Sequence, residues 1–533
     1  MTQDLAASAP AESARAARLR RVSIASFFAL VASVCWFEIV DWDFWWHLAA
    51  GRWIASTRSL PTVDVFSYLA EGRPWVDSQW LFQLVLYGAH ELLGIPHLIL
   101  LRVPVVGLTF ALLFLTVYRR EYFWISIAVC TLALLVSLQR FLLRPEMFSL
   151  LFLAAFFYFA EHFSKHPRRS TAAIAGCQLA WTNMHGLHAL GLVFLAAYLG
   201  GELLQERLRR LGVGLPATGV TAREGRAKAL LLLAAGLASL LNANGRAGIL
   251  YPYTLYAELE SKPGVFRQLG ELASPFAGPW PGFPSAQWLY LLLVGISLAA
   301  LLLQARQLRL AHLLPYLAFL YLSTLALRNM SLFAVVAVPV TLRALYGIAD
   351  AAGRFRLRSG AALGSAALPL LVLAAMLGLI ACVASDRLYQ SMGLLRRFGA
   401  GVSDWFPREA AEYLERRDLE GRIFNNPEIG GYLIWQLYPR HQVALDGRWE
   451  VYGDPALVRR LNDPRHFEAF AAEYGVEAIL LHKSSTQLRS LGPWLRRQRE
   501  WRRALETRNA VVFERSALAR GAPAPRSGSP ERP

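Results

Sequence analysis

The 533 residues are 55% hydrophobic and 17% charged, with 16 tryptophans, a more apolar balance than an ordinary soluble domain carries. Several apolar runs reach the roughly 20 residues that cross a bilayer, which excludes a simple soluble enzyme and predicts an α-helical polytopic membrane protein with the lipid bilayer as partner. The net charge of +17 gathers between hydrophobic segments, so it reads as loop charge on the cytoplasmic side and not as a nucleic-acid footprint.

In chain order, residues 1–21 are polar and Ala/Arg-rich and predict a cytoplasmic N-terminus without a cleavable signal peptide, because the apolar segment that follows is long enough to stay as an anchor. Hydropathy predicts about eleven transmembrane helices within 22–383, near 22–40, 97–118, 122–139, 146–163, 171–184, 187–205, 228–242, 286–304, 311–327, 329–346 and 361–383. Arg15, Arg18, Arg20 and Arg21 precede the first of these, which orients it. Every inward junction then carries a basic cluster: Arg119 and Arg120; Lys165, Arg168 and Arg169; Arg207 through Lys228; Arg306 and Arg309; Arg354, Arg356 and Arg358. Cys35, Cys130, Cys177 and Cys382 fall inside the apolar segments with no paired spacing and read as small apolar fillers.

Two outward segments are long. The first, 41–96, is rich in tryptophan and predicts amphipathic helices on the membrane around Ser59-Leu60-Pro61. The second, 243–285, is rich in Gly and Pro and predicts an irregular loop. Residues 384–516 change to short alternating elements: a helix near 407–417, strands at 421–425 and 442–446, a helix near 464–474, and strands at 476–481 and 510–513. This predicts a small C-terminal extracytoplasmic α/β domain. Residues 517–533 mix Pro, Gly, Ser and Arg and predict a disordered tail.

With this topology the polar residues at helix ends sort by side. Asp41 and Asp43, in Asp41-Trp42-Asp43-Phe44-Trp45-Trp46-His47, face outward at the hydrocarbon edge, where ionised carboxylates are costly. Arg140, Arg144 and Glu146 lie at the same face, as do Asn183, His185 and His188, then Asn244, then Arg328 and Asn329. Arginine at an outward end runs against the insertion bias, so each asks for an acid partner or an anionic ligand. Simple ion pairing within this set or with lipid headgroups is the plainer reading of any one residue. Together, however, an acid pair, several arginines and two histidines suit chemistry with a phosphate leaving group. Guanidinium forks bind phosphate, and a carboxylate either takes a proton from an attacking hydroxyl or amine or holds a divalent metal such as Mg or Mn. Asp41 and Asp43 are the metal candidates, if any. His185 and His188 are more simply hydrogen-bonded interface histidines, with no third ligand nearby. In the C-terminal domain, Asn425-Asn426-Pro427-Glu428 and Asp446-Gly447-Arg448-Trp449-Glu450 are explained by turn chemistry, or alternatively form an acceptor-recognition surface through Asp446, Arg448 and Glu450. Nucleotide-binding loops and serine triads are absent.

Asp41-Trp42-Asp43-Phe44-Trp45-Trp46-His47-Leu48, followed by Gly51-Arg52-Trp53-Ile54, resembles the first outer loop of the GT-C superfamily of membrane glycosyltransferases. That group includes oligosaccharyltransferase catalytic subunits, protein O-mannosyltransferases and lipid A aminoarabinose transferases. Pro61 through Ser67, Gly72 through Leu81, Arg144-Pro145-Glu146, Leu327-Arg328-Asn329, Gly430-Gly431-Tyr432-Leu433 and Asp446-Gly447-Arg448 are similar to motifs of a largely uncharacterised bacterial branch. The resemblance implies a GT-C-like fold in the bacterial inner membrane and a polyprenyl-phosphate sugar donor. It implies a catalytic first-loop aspartate, Asp43 or Asp41, acting as base or metal ligand. A metal is compatible with it but not implied. The tryptophan-rich motif of the oligosaccharyltransferase C-terminal domain is absent here, which disfavours asparagine-linked transfer.

The expectation is therefore a glycosyltransferase with Asp43, with or without Asp41, activating the acceptor and Arg140, Arg144 and Arg328 binding the donor phosphate. His47, Glu146, Asn183, His185, His188, Asn244 and Asn329 would line the site. The rival is a non-catalytic transporter or scaffold for polysaccharide assembly; a transporter predicts broken helices, matched halves and a site near the bilayer midplane.

Overall fold

The first long helix stops where its apolar run gives way to Trp36-Phe37-Glu38-Ile39. In the computed structural model, which describes residues 14–261, 270–277, 281–359, 367–452 and 457–516, α1 runs over Ala14–Cys35. The arginines expected to precede it sit on its first turns, and the expected end at residue 40 is corrected to 35. The reason is tertiary: Phe37 and Ile39 leave the helix to bridge Phe398 and Val402. The segment carrying Asp41 is thereby extended and held by chain from the far end of the sequence.

Two helices in close contact follow, α2 over Asp43–Thr57 and α3 over Trp80–Leu93. Their approach requires Gly51, where a Cβ would lie 2.2 Å from the Gln83 carbonyl oxygen. The bundle continues with α4 (Arg102–Thr116), α5 (Phe123–Ser137), α6 (Glu146–Glu161), α7 (Pro167–Met184), α8 (Ala189–Arg210), α9 (Ala222–Leu240) and α10 (Gly245–Ser261). Helices Ala286–Leu303, Leu310–Leu325, Met330–Ser359 and Ala367–Ala384 complete it.

A helix lies on each of the eleven apolar segments. Four stretches are long and apolar enough to cross a membrane: Ile95–Thr116, Gly186–Arg210, Ala286–Leu303 and Leu327–Gly353. The pair α9 and Gly245–Thr254 makes a fifth if it counts as one span bent by 105°. Leu310–Leu325 and Leu370–Ala384 are apolar but shorter. The chain is an α-helical multi-pass membrane protein, and among the described residues four or five stretches meet the length and hydropathy of a full crossing. Leu327–Gly353 is the most enclosed, with 72% of its apolar window buried, so it forms the axis of the bundle.

The bend between α9 and α10 corrects the irregular loop expected at 243–285. Asn242-Ala-Asn-Gly breaks the helix, Gly245 turns the chain at φ +54°, and a new helix starts at once. Residues 262–269 and 278–280 of that loop, and the expected tail 517–533, lie outside the described residues.

The C-terminal unit holds a four-stranded sheet in the order β1-β2-β4-β3, with β1 Arg422–Asn425, β2 Val476–His482, β3 Trp501–Glu506 and β4 Ala510–Arg515. β1 and β2 are parallel and joined by a crossover that contains helices Pro427–Leu437 and Pro464–Glu473; the other pairs are antiparallel. β2 is central and buried along its length, as its run of apolar residues predicts. The expected strand at 442–446 is corrected: this stretch makes one isolated bridge, Val443 to Ser67. Its backbone is occupied elsewhere, because Asn425 accepts from the Ala444 amide at 2.9 Å and donates to the Leu445 carbonyl at 2.7 Å.

This unit packs directly on α2. Trp45 sits edge-on between Phe406 and Tyr432, at 5.3 and 4.8 Å between ring centres. Gly431 lets helix Pro427–Leu437 approach so closely that a Cβ would lie 2.8 Å from the Trp42 carbonyl oxygen. The two Gly motifs of the C-terminal unit are thus contact surfaces for the acid-bearing helix.

Candidate active site

Asp41 and Asp43 flank the start of α2. The short turn between them is self-capped, with the Asp43 amide donating to Asp41 Oδ1 at 3.2 Å. Asp41 is buried, and its two oxygens take the fork of Arg144, from Nε at 2.7 Å and Nη2 at 2.6 Å. This is the bidentate geometry in which an arginine gives its strongest charge-assisted hydrogen bonds. The remaining Arg144 nitrogen, Nη1, lies 3.1 Å from Asp43 Oδ2 and 3.5 Å from Glu271 Oε2. Asp43 Oδ1 accepts from the Trp46 indole at 3.1 Å.

Arg140, in the turn after α5, completes the cluster. It donates to Glu271 at 2.8 Å and pairs with Glu146 at the start of α6. Arg328, in the turn Leu327–Asn329, is within electrostatic reach of Glu146, Glu271, Arg140 and Arg144. Its Nε is buried with no partner among the described residues. The cluster therefore contains three guanidiniums and four carboxyl groups drawn from four separated stretches of chain.

The two least enclosed acids behave differently. Burial pushes the Asp43 carboxyl up to about 6; Arg144 opposes this and the neighbouring Asp41 adds to it. Burial would also raise Glu271, but Arg140 and then Arg144 outweigh it and hold that carboxyl at about 2. Two acids sharing one arginine thus divide into a permanent anion and a group that takes up a proton near neutral pH.

His47 lies against Trp46 at 3.7 Å between ring centres with the planes tilted by 33°, and its Nδ1 is buried without a partner among the described residues. Burial first, then Arg144, His185 and Arg448, lower its pKa well below the usual imidazole value and keep it neutral. His185 shares a hydrogen bond with Ser149 Oγ at 2.8 Å, and that hydroxyl also accepts from the Trp181 indole at 2.8 Å. His188 has its Nδ1 buried without a partner and gives its carbonyl to Gln178.

The three asparagines are spent on the fold. Asn183 accepts from Trp80 and from the Ala243 amide and donates to the Leu179 and Leu241 carbonyls. Asn244 donates to the Asp77 carbonyl and Asn329 to the Leu322 carbonyl. Around Asn183, Trp80, Leu81, Leu179, Ala180 and Leu241 line an open, mostly apolar cavity of about 600 Å³.

The C-terminal loop reaches the same acids. Arg448 is completely buried, forked on Asp446 at 2.9 and 2.6 Å and paired with Asp64 of the first long segment at 2.6 Å. Tyr452 donates to Asp446, and Trp75 lies under the Arg448 guanidinium at 4.6 Å. This lock seats Gly447 so tightly on Asp43 that a Cβ would lie 2.3 Å from Asp43 Oδ1. Glu450, within electrostatic reach of Asp43, is raised to about 7, chiefly by burial.

Sequence reasoning missed Glu271, Asp64 and the seat of Gly447. The arginines that the sequence reading puts at outward helix ends are the available signal for Glu271, since they demand another acid. The residues present do not fit a metal. Asp41 gives both oxygens to Arg144, Asp43 gives its own to Arg144 and Trp46, and no group of three or more His, Cys, Asp or Glu suited to a metal occurs among the described residues.

No family model matches the chain, and no curated protein matches it. Solved structures do. The chain is similar to the Archaeoglobus fulgidus oligosaccharyltransferase tethered with an acceptor peptide containing the NVT sequon, at 13% identity and TM-score 0.54, over 95% of this chain and 75% of that one. It is likewise similar to ArnT from Cupriavidus metallidurans bound to undecaprenyl phosphate, at 12% identity and TM-score 0.52, over 94% of this chain and 98% of that one.

Proposed function

We propose that this chain, whose fold is that of the GT-C glycosyltransferases, moves a sugar from a polyprenyl-phosphate to an acceptor at the outer face of the bacterial inner membrane. The observation that carries the reading is the meeting of Asp41, Asp43 and Arg144 with Arg140 and Arg328 at one end of the bundle. The undecaprenyl phosphate bound by the second structural neighbour supports a lipid-phosphate donor.

In this reading Asp43 is the general base. It is the less buried of the pair and the one raised toward neutral pH, where a base is most effective. Its carboxylate takes the proton from an acceptor hydroxyl or amine as that group attacks the anomeric carbon. The bond from that carbon to the donor phosphate oxygen breaks, and the electron pair leaves with the phosphate. Arg140, Arg144 and Arg328 receive the developing charge. The buried Nε of Arg328 is a donor with no acceptor among the described residues, and an anion would supply one. Asp41 holds the Arg144 fork in place, and His47, kept neutral, supplies a ring edge without adding charge.

The apolar cavity beside Asn183 offers the prenyl chain a path between helices. The Asp446–Arg448 loop closes over Asp43 from the C-terminal side, with Glu450 facing the acceptor. Transfer of labelled sugar from a polyprenyl-phosphate donor by the purified protein, lost in Asp43→Asn, tests the reading. Binding of the lipid phosphate with no turnover of its sugar supports the non-catalytic rival instead.

A further inference from the structure

Two buried arginines near the cluster have no carboxylate partner among the described residues. Arg102, at the start of α4, donates to the carbonyls of Phe37 at 2.6 Å and Cys35 at 3.3 Å. Arg396, on the chain entering the C-terminal unit, donates to the carbonyls of Leu138 and Gln139, both at 2.8 Å. Both guanidiniums stack on one ring, that of Phe37, with centres 3.9 and 4.3 Å away.

These contacts fall where the two halves of the cluster begin. Phe37 is four residues before Asp41, and Leu138 and Gln139 immediately precede Arg140. Backbone bonds from Glu38 to Arg397, from Ile39 to Gly401 and from Ser403 to Ile39 lay the acid-bearing segment along the same entering chain. The carbonyls at and just beyond the ends of α1 and α5 have few helical donors, although Leu138 also accepts weakly from the Phe141 amide at 3.5 Å, and the guanidiniums supply the rest. A guanidinium fork meets two carbonyls at fixed geometry, whereas an ammonium is a single point that fixes no spacing. Burying such a charge without an acid is costly, and neutral donors would cap a helix end at lower cost. What the fork adds is a rigid distance.

Resting on the phosphate-site reading above, we propose that Arg396 is a positioning residue: from the C-terminal unit it sets the spacing between the Asp41 segment, through Phe37, and the Arg140 turn. The full-length protein in nanodiscs, compared with Arg396→Lys and Arg396→Met, tests this by hydrogen exchange at residues 36–43 and 138–144 and by affinity for undecaprenyl phosphate. Arg396→Lys keeps the charge and should fold even where Arg396→Met does not. The expected result is faster exchange in both segments and roughly tenfold weaker binding, with the melting temperature of Arg396→Lys near that of the parent. Unchanged exchange in either segment, or unchanged affinity alongside a lower melting temperature, overturns the positioning role. Failure of the parent itself to bind undecaprenyl phosphate sinks the phosphate reading instead, and the exchange data alone then decide whether Arg396 clamps the two segments.

Discussion

Arg144 lays its fork on Asp41 and turns its one remaining nitrogen to Asp43, 3.1 Å away. One guanidinium therefore ties a buried structural acid to a more exposed, proton-accepting one. The two aspartates, only two residues apart, are predicted to differ sharply in what their loss costs.

Asp43→Asn should lower sugar transfer by at least about a hundredfold, the scale of a lost general base, with the melting temperature nearly unchanged. Asp41→Asn should instead unfold more easily, by about 1–3 kcal/mol, because the buried charge-assisted fork on Arg144 is weakened even though Asp43 and Glu271 still hold its Nη1. Thermal melts beside transfer assays on both variants separate the roles. Equal melting losses would contradict the division.

The pH profile follows from Asp43. Its carboxyl is raised to about 6, and the base is the deprotonated form. Transfer should rise as pH climbs through about 6 and flatten above it. Glu271, held at about 2, stays charged throughout and contributes no limb in that range. A kcat/KM profile without an acid limb near 6 would remove Asp43 as base.

Gly447→Ala introduces a Cβ where Asp43 Oδ1 now sits, at 2.3 Å. The carboxylate or the loop must move, so transfer should fall at least about tenfold, since small misplacements of reacting groups are expensive. Circular dichroism and melting should remain close to the parent. Full activity would show that the loop does not set the position of Asp43.

Arg448→Met leaves Asp64 and Asp446 buried without their shared cation. Breaking a buried pair costs about 3–5 kcal/mol, so denaturant unfolding should shift by that scale. Asp64→Asn should lose less, since Asp446 still holds the guanidinium.

Much of the cluster's contact pattern is legible in the sequence, and the reason is charge. Arg140 and Arg144 are largely buried at a helix end next to an apolar segment, so they demand acids, and Glu146, Asp41 and Asp43 are at hand. Glu271 was not legible, because its loop reads as Gly/Pro-rich coil and nothing local marks it. The parallel pair β1–β2 is visible as apolar runs, whereas β3 was missed because Arg502, Arg503 and Glu506 face solvent on an edge strand. The expected strand at 442–446 failed because the side chain of Asn425 takes the backbone groups a ladder needs. The Asp64–Arg448 pair joins residues 384 positions apart, and no spacing rule reaches that far.

The most direct measurement is the pool of lipid-linked sugars in a strain lacking this protein. A polyprenyl-phosphate sugar should accumulate there, and the parent gene should clear it while an Asp43→Asn copy expressed to the same level should not. An unchanged pool, or full clearance by Asp43→Asn, would contradict sugar transfer by this site.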